Sequence, residues 1–397
     1  MDARNCKKNI SETKNVKDVS DFMIPYVLLM FVPLLFSHIT FSNKLTESNG
    51  KWVLATGGKQ EIINHSGLIP VFFIILLALL ALKDVSIGND TFNYQYYFEK
   101  FYMADISDVF QEKSDILYWL LVWAVGRITD NFQIFLAIAA MIMVLPIAIV
   151  YSEDGQYGFL KLVLFINMST FVLLFSGLRQ SVALAMGMIA YEFVKRKKPV
   201  RFLLFALIAL GFHHSGFMVF LFYPLYHAIF KKKHLWFIVP AIVLVFVFNR
   251  VIFAWGTQIL NYFSNDKYDL VTSSTGAYAM LLVFIVFAVL AYVIPDEQIM
   301  DRETLGLRNF LLMAVLLQCF APIHTLAMRL NYYFILFIPI LIPKILKYTK
   351  KNLEDVTWWI RNAMVVFFVV YYLVTTYNSC QTGVSALDTY PYVPFWQ

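Results

Sequence analysis

The sequence predicts an all-α, polytopic integral membrane protein with 12 or 13 transmembrane helices. Of its 397 residues, 60% are hydrophobic and only 15% are charged, whereas soluble domains contain fewer apolar residues and many more charges. Apolar runs of roughly 20 residues recur along the chain, which is long enough to cross a hydrocarbon core about 30 Å thick. No polar segment is long enough to form a soluble domain.

The runs divide the chain into a polar N-terminal extension (1–21), one transmembrane domain (22–378) and a C-terminal tail (379–397). A shorter run at 115–126 is re-entrant, lies along the surface or continues to residue 130 as a tilted span, so the count is 12 or 13. We expect the other helices at 22–40, 66–83, 131–151, 158–178, 180–194, 201–217, 216–230, 235–255, 277–294, 307–322, 330–346 and 362–378.

Lysine and arginine clusters orient these helices. The clusters at 195–201, 231–233, 302–308 and 344–361 are each separated by two apolar runs. They therefore fall on one side, which the positive-inside rule makes cytoplasmic. The loops on the opposite side contain Arg179, the pair His213 and His214, and Arg329. The charge pattern predicts that these residues share the outer face.

The orientation of the N-terminal third is open. Five basic residues before position 18 favour a cytoplasmic N-terminus, which would place residues 84–114 inside if 115–130 spans the membrane. If 115–126 does not span, residues 84–114 lie outside. We predict the outer location, because Asp90 has a role only where it can meet the other outer-face residues.

The outer-face arginines are candidates for phosphate binding. An arginine at a membrane helix end is costly unless it has a polar partner, although many such side chains simply extend to the interface. Guanidinium binds phosphate through two parallel hydrogen bonds. We select Arg179 and Arg329 as catalytic candidates, and Gln180 and Arg250 as substrate-binding candidates.

The histidine pair and the polar loop after the second run offer further candidates. A neutral imidazole is a plausible base near pH 7, so His213 is a catalytic candidate and His214 a binding candidate, against the alternative that both cap a helix end. Gly88-Asn89-Asp90 is a turn signal, and Tyr94 follows it at helical spacing. Asp90 and Tyr94 suit a sugar, although tyrosines are also common at membrane interfaces.

Several classes of site are absent from the sequence. It contains no P-loop, HExxH, GxSxG or dinucleotide-binding fingerprint. Its three cysteines lack metal-ligand spacing, and its basic residues form no nucleic-acid stripe. We therefore expect no cofactor, no metal and no nucleic-acid partner.

Together these residues resemble the EpsG branch of Wzy-type polysaccharide polymerases. The resemblance covers roughly 70–345 and rests on order and spacing. Its pieces are Gly88-Asn89-Asp90 with Tyr94 and Phe98, Leu178-Arg179-Gln180-Ser181-Val182-Ala183-Leu184, Phe212-His213-His214-Ser215, and Arg329 with Tyr332-Tyr333-Phe334. Two departures are that Lys83 replaces an arginine before the glycine turn, and that Glu112-Lys-Ser-Asp115 replaces a Glu-Pro-Gly-like segment.

The resemblance implies a GT-C-like bundle in the bacterial inner membrane. Its reaction would join undecaprenyl-pyrophosphate-linked oligosaccharide repeat units at the outer face, transferring the growing chain to the nonreducing end of a new unit. The arginines would stabilise the pyrophosphate leaving group, and His213 or Asp90 would deprotonate the acceptor, with His213 slightly preferred. Implied partners are membrane lipid and the chain-length regulator and flippase of the same pathway.

Three other functions remain open at this stage. A flippase for the same lipid-linked glycan would use basic residues throughout its cavity. A polyprenyl-phosphate-dependent GT-C glycosyltransferase would use an acidic residue in its first large outer loop, as Asp90 could be. A membrane O-acyltransferase would use a buried histidine but leaves the two outer arginines unexplained.

Overall fold

The computed structural model describes residues 19–37, 40–43, 45–48, 51–54, 63–112, 114–154, 157–263 and 275–397. Most of the predicted polar extension lies outside these ranges. Within them the protein is a helical bundle, with two short antiparallel strand pairs before the second long helix. The strands are β1 (Thr40–Asn43) paired with β4 (Ile63–Ser66), and β2 (Leu45–Ser48) paired with β3 (Lys51–Leu54).

The helices follow the predicted apolar runs. In chain order they are α1 (Val19–Phe31), α2 (Leu68–Leu82), α3 (Thr91–Phe101), α4 (Ile106–Val109), α5 (Ile116–Gly126), α6 (Phe132–Ser152), α7 (Gly158–Asn167), α8 (Ser169–Ser176), α9 (Leu178–Lys195), α10 (Pro199–Phe212), α11 (Phe222–His227), α12 (Leu235–Val247), α13 (Asn249–Phe263), α14 (Thr275–Val293), α15 (Arg302–Gln318), α16 (Thr325–Ile335), α17 (Ile338–Lys347) and α18 (Glu354–Thr382). Short 3-10 turns continue or connect some of them, including Val32–Phe36 and His214–Leu221. The all-α fold class is confirmed.

The number of full-length spans is smaller than the sequence suggested. Among the described residues, three helices are long and apolar enough to cross a membrane: Phe132–Ser152, Gly276–Val293 and Lys351–Thr382. The count rises to six if three bent pairs each form one span. Four further apolar helices are shorter. The prediction of 12 or 13 complete spans therefore counted apolar runs, several of which are broken, short or interrupted by polar residues.

The breaks lie where the backbone leaves helical geometry. α7 and α8 meet at 62°, the helices on either side of Phe248 at 75°, and α16 and α17 at 43°. Met168 between α7 and α8 has an extended conformation. Irregular backbone at membrane depth is tolerated where it is buried in protein or lines a cavity. The broken helices are therefore expected to line a cavity or to lie within the protein.

Helix α9 is the centre of the bundle. It packs against α10 and α6, and its small residues Ala183, Ala185, Gly187 and Ala190 are buried. Small side chains let neighbouring helices approach closely, which is how membrane helices gain packing energy. With 18 residues, α9 is about 27 Å long and spans most of the bundle's depth. Its two ends are therefore well separated.

The end of α9 at Lys195 lies in a network of ion pairs, which we call the paired end. Lys195 contacts Glu153, Glu192 and Glu303. Lys344 on α17 contacts Glu303 at 2.8 Å, Asp301 at 3.6 Å and Asp154 at 3.7 Å. These residues flank the lysine- and arginine-rich loops that the sequence predicts to be cytoplasmic. We call the opposite end, at Arg179, the cavity end.

The C-terminal tail packs back onto the cavity end. Gly383, with a φ of 65°, terminates α18 as a left-handed cap. The following residues, Gly383–Gln397, form what we call the C-terminal strap. Lys83 and Pro394 form an isolated antiparallel bridge, and Phe395 N donates to Leu82 O at 2.9 Å. The tail is thus an integral part of the fold.

Candidate functional site

A cavity of about 510 Å³ lies at the cavity end. This volume is within the range of small-molecule sites in proteins. Its walls come from α3, α5, α8, α9, α16 and the strap. The lining residues are Asp90, Asn93, Tyr94, Tyr97, Tyr118, Trp119, Leu173, Ser176, Gly177, Arg179, Gln180, His213, Thr325, Met328, Arg329, Tyr332 and Leu387.

Six of the eight candidate residues from the sequence line this one cavity. They are Asp90, Tyr94, Arg179, Gln180, His213 and Arg329. His214 is next to it, with its ring tilted by 30° against that of His213 at a centroid distance of 4.2 Å. Arg250 does not line the cavity, because it lies on the exposed surface of α13 beyond the bend that follows α12. The structure thus brings Arg179, His213, Arg329 and the 84–90 loop to the same end of the bundle.

Two helices direct their N-termini at the cavity. α9 begins at Leu178, after Ser176 and Gly177, so Arg179 and Gln180 occupy its first turn. α16 begins at Thr325, which also lines the cavity. The first N–H groups of a helix lack intrahelical acceptors and carry partial positive charge, which favours bound anions. The arginine side chains add full charges to these partial ones.

Arg179 is held by Asp115, a residue that the sequence analysis did not select. Arg179 Nη1 donates to Asp115 Oδ2 at 2.9 Å, and the Asp115 side chain is only 3% exposed. Asp115 Oδ1 also accepts from the backbone N–H of His214 at 3.1 Å. One carboxylate thereby connects α5, α9 and the histidine turn. The Arg179 side chain is still 34% exposed, so part of the guanidinium remains accessible to a ligand.

Asp115 has an unusual backbone conformation and an ionised side chain. Its φ is 57°, in the left-handed region that aspartate tolerates better than most residues. Burial acts to raise the pKa of Asp115, but hydrogen bonding to His214 and the positive charge of Arg179 outweigh it and hold the pKa below its ordinary value. Asp115 is therefore ionised at neutral pH.

His213 is fixed in one tautomer by its neighbours. Its Nδ1 accepts the backbone N–H of Ser215 at 3.1 Å, and the Ser215 hydroxyl lies 2.8 Å from the same nitrogen. Because Nδ1 is an acceptor, the proton of the neutral ring resides on Nε2. Burial, together with the nearby positive charge of Arg179, lowers the pKa of His213 to about 3. A neutral ring with this pKa is a good hydrogen-bond donor through Nε2 but a weak base.

The loop that carries Asp90 is anchored to the break before α9. Lys83 Nζ donates to the backbone oxygens of Ile87 and Phe175 and to Thr91 Oγ1. Gly88 has a φ of 86°, and a Cβ there would lie 2.2 Å from Phe175 O, so only glycine fits. Lys83 therefore has a structural role here. Asp90 follows this turn, and its side chain makes no capping hydrogen bond to α3.

The Asp90 side of the cavity is aromatic. The rings of Tyr97 and Trp119 are in edge contact at a centroid distance of 5.2 Å. Trp119 Nε1 donates to Ser114 O at 3.0 Å, which fixes the indole. Asn93 adds an exposed amide one helical turn from Asp90. The residues around Asp90 therefore offer flat apolar surfaces beside hydrogen-bonding groups.

The cavity lining also contains cationic groups. Arg329 is exposed on α16 and forms no ion pair with any residue in the described ranges. Gln180 Nε2 donates to the backbone oxygen of Arg329 at 2.6 Å, which ties the N-terminal turn of α9 to α16. Arg179 also lies over the ring of Tyr118 at 5.6 Å. The cavity is thus lined by a cationic set of groups and by an aromatic, acidic set, and the two sets meet where Arg179 lies over Tyr118.

Asp115, His213 and His214 have ligand atoms within 4.8 Å of one another, a spacing that a metal ion could occupy. Two features oppose metal binding. Arg179 already occupies Asp115 Oδ2 at 2.9 Å and would repel a cation. His213 Nδ1 is also engaged by Ser215. The arrangement is better suited to positioning Arg179 than to holding a metal.

Comparison with known families gives one assignment. The model of the EpsG family matches residues 67–393, which includes the cavity and most of the C-terminal strap. Neither the curated proteins nor the solved structures contain a match to this chain. The family match covers most of the chain and agrees with the resemblance carried by the cavity residues. The chain therefore belongs to the EpsG family and is a multi-pass membrane protein of polysaccharide biosynthesis.

Proposed function

We propose that this protein is a Wzy-type polysaccharide polymerase of the bacterial inner membrane. It joins undecaprenyl-pyrophosphate-linked oligosaccharide repeat units, with its cavity open to the outer face. The glycan chain on one lipid carrier is transferred to the nonreducing end of the next unit. The flippase and the chain-length regulator of the same pathway are its expected partners.

The observation that supports this reaction most strongly is that one cavity combines two kinds of groups. Arg179, Arg329 and two helix N-termini line it. A doubly charged pyrophosphate suits these groups, because guanidinium binds phosphate bidentately and helix N-termini favour anions. Asp90 and the aromatic rings of the same cavity suit a sugar with a free hydroxyl. A reaction between a pyrophosphate-linked sugar and a sugar hydroxyl needs both kinds of groups in one site.

The chemical step requires one base and stabilisation of one leaving group. The acceptor hydroxyl oxygen forms a bond to the anomeric carbon of the donor chain, while the bond from that carbon to the pyrophosphate oxygen breaks. The hydroxyl proton passes to Asp90, whose carboxylate is not used for capping. The electron pair of the broken bond remains on the pyrophosphate, where Arg179 and Arg329 stabilise it.

His213 acts on the leaving group in this scheme, although from sequence it was slightly preferred as the base. Its Nδ1 is occupied by Ser215 and its pKa is about 3, so it is a poor proton acceptor at neutral pH. Its Nε2–H instead provides a neutral hydrogen bond to a phosphate oxygen. Asp115 does not line the cavity, and its role in this scheme is to orient Arg179 through their ion pair.

The distribution of charge favours a polymerase over a flippase. A flippase needs a polar path from one face to the other. At the paired end, Lys195 and Lys344 are enclosed by carboxylates. One helical turn before Lys195, the buried Tyr191 packs against Phe337 with a centroid distance of 4.7 Å, and its hydroxyl donates to Glu303 at 2.7 Å. The cationic groups that remain accessible in the cavity are therefore confined to one end.

The test is reconstitution of the purified protein with lipid-linked repeat units extracted from cells that lack it. A polymerase converts single units into a ladder and releases undecaprenyl pyrophosphate. A GT-C glycosyltransferase adds one sugar, an O-acyltransferase adds an acyl group from a donor, and a flippase moves the unit between leaflets without new bonds. A ladder is the expected product. Any of the other three products, or an unchanged unit, would contradict the proposal.

A further inference from the structure

The C-terminal strap forms a wall of the cavity beside Asp90. Leu387, from the 3-10 turn Ala386–Asp388, lines the cavity together with residues of α3 and α5. From sequence, this region is predicted only to be a C-terminal tail (379–397). Its contribution is visible only in the folded chain, because it reaches the cavity after the last long helix.

The backbone of the strap holds the loop that carries Asp90. Gly88 N donates to Asp388 O at 2.9 Å, and Asn89 N donates to Leu387 O at 3.2 Å. Asp84 N donates to Val393 O at 2.8 Å. The strap therefore satisfies three N–H groups of the loop. Any shift of the strap would therefore move Asp90 relative to Arg179 and Arg329.

Leu387 is held in a conformation that leucine rarely adopts. Leu387 and Asp388 have φ values of 54° and 51°, both in the left-handed region. Each such residue costs about 1–3 kcal/mol and persists only where the surrounding structure enforces it. The hydrogen bonds from Gly88 and Asn89 to these two carbonyls provide that enforcement. The strained turn places the Leu387 side chain in the lining of the cavity.

The strap is also fixed from behind. Tyr26 OH donates to the backbone oxygen of the buried Thr389. Tyr392 OH donates to Leu79 O at 3.0 Å. The strap is thereby attached to α1 and α2 as well as to the loop. Leu387 is therefore presented by a rigid wall, which is what steric selection of a ligand requires.

We propose that Asp90, Asn93, Tyr97, Trp119 and Leu387 form the subsite for the nonreducing-end sugar of the acceptor, and that Leu387 limits the size of the sugar that enters. This inference rests on the proposed polymerase function. The aromatic rings provide apolar surfaces for the sugar faces, and Asp90 and Asn93 hydrogen-bond its hydroxyls. Leu387 offers only van der Waals contact, so its effect on the ligand is one of shape.

The test compares two ligands on the full-length protein in nanodiscs. One is the repeat-unit oligosaccharide released from its lipid by mild acid, and the other is farnesyl pyrophosphate. Leu387→Trp adds volume to the proposed sugar subsite. We therefore expect oligosaccharide binding to weaken about tenfold or more, while farnesyl pyrophosphate binding changes less than about twofold. Val384→Trp is the control, because Val384 lies on the same strap but is 74% exposed.

Leu387→Ala tests the same wall without adding volume. It keeps the strap's backbone bonds and removes the apolar contact, so oligosaccharide binding should weaken about threefold with farnesyl pyrophosphate binding unchanged. Unaltered oligosaccharide binding in both variants, or equal weakening of both ligands, would overturn the subsite. If the wild-type protein binds the oligosaccharide with this dependence on Leu387 but produces no ladder, the polymerase function fails while the sugar subsite stands.

Discussion

At the paired end of α9, Lys195 and Lys344 each face three carboxylates, whereas at the cavity end Arg179 faces one and Arg329 none among the described residues. Both ends belong to the same bundle and both contain charges that would be costly in lipid. The difference is that the paired end satisfies its cations internally. The cavity end leaves cationic capacity for an external anion.

The cations at the two ends look similar in sequence but have different roles in the structure. A cation surrounded by carboxylates contributes to folding, because removal of one member leaves the others uncompensated. A cation with few carboxylate partners, beside helix N-termini and a cavity, is available for ligand binding. We therefore expect substitutions at the paired end to change stability, and substitutions at the cavity end to change rate or affinity.

The largest effect should come from Asp90→Asn. If Asp90 accepts the acceptor proton, the amide removes general-base catalysis and the polymerisation rate should fall about 10³-fold with donor binding retained. The measurement is ladder formation under saturating lipid-linked repeat, alongside farnesyl pyrophosphate binding. Glu99→Gln on the exposed side of the same helix is the control. Near-normal rates in Asp90→Asn would exclude Asp90 as the base.

Arg179→Lys should lose about 10²-fold in polymerisation despite keeping its charge. A compact ammonium reproduces neither the planar contact with pyrophosphate nor the bond to Asp115. Arg196→Lys, at the other end of the same helix, should retain full activity, because Arg196 is exposed and contacts Glu192 at 3.4 Å. If polymer length and rate are near normal in Arg179→Lys, Arg179 is an interface anchor.

Lys344→Met should affect stability and leave ligand binding intact. It removes the cation shared by Glu303, Asp301 and Asp154. We expect a loss of about 2 kcal/mol, less than for a fully buried pair because the carboxylates are partly exposed. Thermal unfolding in detergent measures it, with Lys351→Met on the exposed surface as the control. A Lys344→Met variant that is stable but fails to bind farnesyl pyrophosphate would show that the paired end also determines ligand binding, which contradicts the assignment of ligand binding to the cavity end alone.

His213→Gln should weaken farnesyl pyrophosphate binding about tenfold, since one hydrogen bond to an anion is lost. The pH profile of the polymerisation rate should keep its shape between about pH 6 and pH 8, because His213 is neutral throughout this range. A profile that loses an ionisation near neutral pH in His213→Gln would restore His213 as the base.

The same histidine predicts how stability depends on pH. Its folded-state pKa of about 3 lies below its ordinary value, so the unfolded chain binds an additional proton between those two values. Its contribution to stability is present above the ordinary pKa of about 6.5 and is lost as pH falls toward 3. Acidification should lower the thermal unfolding temperature of the wild type more than that of His213→Gln.

Much of the site was predictable because it depends on local chemistry and on alternation of charge. Arg179, His213 and Arg329 follow apolar runs that alternate with lysine clusters, so their shared end follows from counting spans. Gly88 and Asp90 form a recognisable turn. Arg250 is the candidate that sequence reasoning placed with this set and that the structure does not bring into the cavity lining, because it lies on the exposed surface of α13, after the 75° bend at Phe248.

Asp115 and Leu387 were not predictable in the same way. Asp115 pairs with Arg179, which is 64 positions later in the chain, and no local sequence pattern marks such a contact. Leu387 joins the cavity through backbone hydrogen bonds, which any residue can make and which leave no mark in the sequence. The predicted number of full spans was too high for a related reason. Breaks at Met168 and Gly177 depend on tertiary packing, while hydropathy continues across them.

In the proposed reaction, the cavity end faces outward and binds the lipid-linked substrate. Asn89 is exposed beside Asp90, so a cysteine there reports on both points once Cys6, Cys319 and Cys380 are replaced. A membrane-impermeant maleimide should label Asn89→Cys in intact spheroplasts, and the undecaprenyl-pyrophosphate-linked repeat unit, which carries both the pyrophosphate and the sugar, should slow the labelling. Labelling only after the membrane is permeabilised, or at a rate that the lipid-linked repeat unit leaves unchanged, would contradict an outward-facing cavity that binds this substrate.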